Sequence, residues 1–71
     1  MDQQEVIKRY HRCNEMICET IETLRDTENR LRRDDPERQE WYLEKKAQLE
    51  ADLEELWKQR AMFLREYGDI I

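Results

Sequence analysis

His11, Glu15 and Cys18 are the residues of this chain best suited to hold a metal ion. At i, i+4 and i+7 they fall on one face of a helix, and each is a Zn²⁺ ligand type. Three donors from one helix leave the coordination sphere incomplete, so a second copy would have to close it. The same face continues into Glu22, as a solvated face does, and the Glu-x-x-His pattern of di-iron bundles is absent. We therefore expect no metal and no cofactor, and keep His11, Glu15 and Cys18 only as weak candidates.

Catalysis has little to work with. The chain holds one histidine and no Gly-rich phosphate loop, Ser/His/Asp set or Cys-x-x-Cys pair. Nucleophilic catalysis would need a base borrowed from another subunit. The expectation is a protein that is not an enzyme.

Binding chemistry is better represented. Lys8-Arg9-Tyr10-His11-Arg12 is a basic-aromatic cluster in which Lys8 and Arg12 share a side, a pattern that suits phosphate or RNA. The plainer reading makes Tyr10 a core residue with a basic rim. Glu50, Asp52, Glu54 and Glu55 lie in a stretch with no basic residue between Ala47 and Trp57. Such a run can dock on a basic protein, although a solvated helix face reads the same way. Trp41 stands off the main apolar stripe, and tryptophan is enriched where partners bind tightly. It can equally cover the hairpin corner. Lys8, Arg12, Trp41, Glu50, Asp52, Glu54 and Glu55 are thus the partner-binding candidates.

These residues need elements to carry them. The chain has 71 residues, 44% charged and 38% hydrophobic, with one Gly and one Pro. That composition indicates long helices or a coiled coil within one domain. Apolar residues recur at Val6, Ile7, Tyr10, Cys13, Ile17, Ile21, Leu24 and Leu31, which predicts a first helix over about 3–33. Asp2 and Glu5 form a capping-box-like start. Asp34-Asp35-Pro36 predicts a corner at 34–35, with Asp35 as N-cap and Pro36 at the first helical position. The second stripe runs Tyr42, Leu49, Leu56, Phe63 and Ile70, supported by Leu53 and Tyr67, and predicts a helix over about 36–67 with Gly68 as its stop.

A single bent helix in a parallel coiled coil is the competing architecture. Seven-residue steps from Leu31 reach Arg38 and Lys45 rather than Tyr42. The seam slips across Pro36, which favours an all-α antiparallel helical hairpin forming one domain, residues 1–71.

Each stripe is wider than a two-helix seam can hide. Ile7, Ile21, Leu43, Leu53, Trp57 and Leu64 flank or support it and form the expected dimer or partner interface. Leaving several large apolar groups in water forfeits about 1.5–3 kcal/mol each, so self-pairing into a four-helix bundle is expected.

Length, hairpin design, acidic corner and the tail Phe63-Leu64-Arg65-Glu66-Tyr67-Gly68-Asp69 resemble the Rop-type plasmid regulators. The resemblance implies a dimer of hairpins with paired RNA loops as partner, and carries no set of RNA-contacting positions onto this chain.

Net charge is −5, with seven basic and nine acidic residues in 1–35 and six and nine in 36–71. Neither half is a polybasic arm, so nucleic acid is the less favoured partner. No run approaches the roughly 18 apolar residues of a membrane span. The first residues lack a secretory pattern, and Cys13 and Cys18, about 140° apart on a helix, cannot bond to each other within it. The expectation is a cytoplasmic homodimer that binds and modulates another protein as a regulator or inhibitor of phage or plasmid type. An RNA-binding bundle and a structural assembly piece are the alternatives.

Overall fold

The computed structural model describes residues 2–33 and 36–71, which form two long helices lying side by side. Helix α1 spans Gln3–Arg33 and helix α2 spans Pro36–Tyr67. No strand occurs among the described residues. The rod they make measures 50 × 14 × 14 Å. The Asp34–Asp35 corner, with the N-cap role expected of Asp35, lies outside the described residues.

Cross-helix contacts establish the antiparallel sense. The Tyr10 ring meets Phe63 edge-on with centroids 6.3 Å apart, the Cys13 thiol points to the Leu56 carbonyl at 3.5 Å, and Glu28 meets Lys46 at 3.8 Å. As the α1 position advances, its α2 partner recedes. This is a hairpin, and a single continuous helix cannot make these contacts.

The buried residues follow the coiled-coil spacing because one face of each helix must leave water. Val6, Tyr10, Cys13, Ile17 and Thr27 are buried on α1, and Tyr42 and Leu56 on α2. At the centre, Cys13, Ile17 and Leu56 pack together, with Ile21 and Leu53 laid against them. Thr27 is admitted to this interior because its hydroxyl donates to the Thr23 carbonyl at 2.8 Å, which satisfies the polar atom and leaves the methyl to pack.

The helix ends differ in detail from the spacing rules. The Val6 amide donates to the Asp2 carbonyl at 3.1 Å, closing the first turn. Glu5, however, gives its carboxylate to Arg9 at 3.1 Å. A charge-assisted bond to a guanidinium displaces the capping-box return expected of it. Gly68 ends α2 without adopting a left-handed conformation. A Cβ there would collide with the Leu64 carbonyl, so glycine is needed for close approach. The Ile70 and Ile71 amides then both donate to the Tyr67 carbonyl, at 3.0 and 3.1 Å.

Surface ion pairs form at Asp26–Arg30 (3.2 Å) and Glu54–Lys58 (3.8 Å). Glu28 turns away from Arg32, its partner by spacing, and reaches Lys46 across the hairpin. No described helix is long and apolar enough to cross a membrane.

Candidate functional site

The hairpin has two long flanks of opposite character. On one, seven-residue steps carry Ile7, Asn14, Ile21 and Glu28 along α1, and Leu43, Glu50, Trp57, Leu64 and Ile71 along α2 and the turn beyond it. Two bridging cations show that both columns face the same side. Arg60 donates to Asn14 at 3.0 Å while standing 5.5 Å over the Trp57 ring. Lys46 lies 3.8 Å from both Glu28 and Glu50.

This flank is apolar and open. Leu43 is 56% exposed, Trp57 46% and Leu64 42%, with Ile71 also exposed at its end. Ile7 is half-buried beside them. Ile21 and Leu53, named with these residues from sequence, lie half-buried against the hairpin's own core. The one acidic interruption among the α2 flank residues is Glu50, which Lys46 compensates. Single exposed apolar side chains need no explanation, but a column of four at a repeating step does.

The other flank is polar along most of its length and holds a recess near the corner end. Thr23, Asp26, Thr27 and Arg30 of α1 and Trp41, Tyr42 and Lys45 of α2 enclose about 180 Å³. Trp41 is 58% exposed, more than any other large apolar side chain among the described residues. Its ring lies edge-on to Tyr42 at 5.0 Å with the Lys45 ammonium 5.4 Å from its centre. The Tyr42 hydroxyl and then the Asp26 carboxylate raise the pKa of Arg30 above its ordinary value.

The metal candidates are placed but not gathered. His11, Glu15 and Cys18 line a shallow groove with Asn14 and Glu19. Among the described residues no three or more His, Cys, Asp or Glu converge as metal ligands. Glu15 is engaged by Arg12 at 3.3 Å. Both cysteines are free; Cys18 is exposed, and burial pushes the Cys13 thiol up, with the Arg60 charge opposing it.

The charged candidates are spread out as well. Lys8 and Arg12 are exposed, with Arg12 on Glu15 and its neighbour Arg9 on Glu5. Glu50, Asp52, Glu54 and Glu55 fan around α2, since two residues advance about 200° around a helix. Glu50 meets Lys46, Asp52 accepts from Gln48 at 3.1 Å, and Glu54 meets Lys58. They do not make one acidic patch.

Arg60 escaped the sequence reading, although its position carried a signal. It stands seven residues after Leu53 and seven before Tyr67, hence in the seam.

In comparisons with known proteins, no family model, no curated protein and no solved structure matches the chain.

Proposed function

We propose that this protein is an interaction module: a helical hairpin that pairs with a second copy along its apolar flank, and as a dimer binds and modulates another protein in the cytoplasm. The observation that carries the reading is the exposed column Leu43, Trp57 and Leu64 at seven- and fourteen-residue intervals. A repeating step of seven is the spacing that lets one helical rod lie along another. The face is also large enough. A rod 50 Å long and 14 Å wide offers the size class of the roughly 800 Å² per partner that stable interfaces bury.

Self-pairing fits this face because a two-fold interface sets the same apolar column against itself. Its charged groups already have partners within the hairpin, Lys46 lying between Glu28 and Glu50 and Arg60 against Asn14 and the Trp57 ring. The RNA-binding alternative is weakened by Arg9 and Arg12, whose guanidiniums already meet carboxylates.

The test is the double variant Leu43→Glu, Leu64→Glu. Both positions are exposed, so each chain keeps its helicity by circular dichroism while sedimentation shows the pair falling apart. Unchanged association of the variant would remove the flank from the account.

A further inference from the structure

The recess beneath Trp41 lies on the flank away from the apolar column, so it stays open whether or not two hairpins pair. Its shape and lining are specific enough to name an occupant. The floor is apolar: the Thr23 hydroxyl donates to the Glu19 carbonyl at 2.9 Å and the Thr27 hydroxyl to the Thr23 carbonyl at 2.8 Å. Both hydroxyl protons are thereby donated within their own helix, and the Tyr42 and Trp41 rings line the same recess. A volume of about 180 Å³ is close to the ~150 Å³ apolar cavity that accepts benzene, room for one aliphatic side chain or one ring.

Among the residues lining the recess, cations outnumber carboxylates two to one, in a chain of net charge −5. Arg30 and Lys45 border the recess, and Arg33 borders an adjoining one with Asp26, Asn29 and Arg30. The one carboxylate on the recess, Asp26, is bound to Arg30 at 3.2 Å. Lys45 forms no ion pair among the described residues. Its ammonium is parked over the Trp41 ring, a contact of modest strength that an incoming carboxylate can share. Trp41 itself is exposed and rests against Tyr42, and tryptophan is enriched among the residues that anchor partners.

We propose that this recess is a peptide-binding site. It takes one apolar side chain, leucine- or phenylalanine-sized, from an acidic segment of a partner protein, with a flanking carboxylate on Lys45. A nucleic-acid strand fits less well. Glu37 and Glu44, four residues before and three after Trp41, share its outward side and would oppose a charge at every phosphate. A short peptide presents only one or two carboxylates and needs to bring only one of them to Lys45. The site deepens the reading of the protein as an interaction module by giving its partner a chemistry.

The chain holds two tryptophans, so Trp57→Phe leaves Trp41 as sole reporter. Its emission is followed against short synthetic peptides carrying one Leu or Phe between glutamates, the same peptides with lysines for glutamates, and a single-stranded oligonucleotide. The expected result is a saturable shift with the glutamate peptides alone. Lys45→Ala in the same background should weaken it about fivefold, the upper end for one exposed ion pair. No saturable shift with any glutamate peptide, an equal response to the lysine peptides, or a response to the oligonucleotide alone would overturn the assignment. Self-pairing is read from the mass of the unsubstituted chain, so either reading can fail without the other.

Discussion

Arg60 of α2 crosses the hairpin to Asn14 of α1, its Nε donating to Oδ1 at 3.0 Å. The guanidinium also stands 6.0 Å from the centre of the Tyr10 ring and 5.5 Å from that of Trp57. One side chain therefore ties the core edge, the apolar flank and the register together. A slip of one heptad would set Arg60 against Ile7 or Ile21, neither of which has a side-chain acceptor. A polar group in a seam is a known means of fixing register.

Asn14→Ala should accordingly destabilise the hairpin by about 1.5–3 kcal/mol, the range for a hydrogen bond to a charged group. Urea unfolding followed by circular dichroism measures it. Arg60→Leu, which removes the cation as well, should cost less than Asn14→Ala. The reverse order would mean that the bond does not set the register.

Ile17→Ala removes a branched side chain from the Cys13–Ile17–Leu56 centre. The expected loss is about 2–4 kcal/mol, visible as a lowered thermal midpoint. In a chain this short that is a large share of the total stability. A loss below 0.5 kcal/mol would place the centre of the core elsewhere.

The two thiols should react at separate rates. Cys18 is exposed, whereas Cys13 is buried and its thiol faces the Leu56 carbonyl. Ellman's reagent should modify one thiol at once and the second only as the hairpin opens; two equal rates would contradict the burial of Cys13. The pH dependence follows from the raised Cys13 pKa, whose main cause is burial. The folded state holds the thiol proton more tightly than the unfolded state does. This contribution is complete below the ordinary thiol range, about 8.5, and is lost as pH rises through the higher folded value. The urea midpoint should fall across that alkaline window, and more in the parent chain than in Cys13→Ala.

Gly68→Ala should loosen the last turn without touching the core. The added methyl meets the Leu64 carbonyl, so the Ile70 and Ile71 amides should exchange faster while the amides around Ile17 do not change. Unaltered exchange at Ile70 and Ile71 would show that the turn accommodates the methyl.

The hairpin was legible in the sequence because it rests on period and punctuation. A seven-residue apolar repeat, a seam slip at Pro36 and two stripes of matched length leave few other ways to hide those side chains. The finer devices were not legible because each is a choice between partners of similar strength. Glu5 had Arg9 and the Asp2 amide within reach, and Glu28 had Arg32 and Lys46; spacing alone cannot rank such pairs. Trp41 illustrates the same limit for the candidate site. Its place off the stripe was evident, but the recess under it depends on Thr23, Thr27 and Arg30 of the other helix, which only the antiparallel register brings opposite.

The central claim is that the flank of Leu43, Trp57 and Leu64 pairs with a second copy, and solution mass tests it most directly. Size-exclusion chromatography with multi-angle light scattering, run on the unsubstituted chain over a range of concentrations, should return a mass near twice 8.9 kDa that persists on dilution. A well-folded species of 8.9 kDa at every concentration would contradict self-pairing.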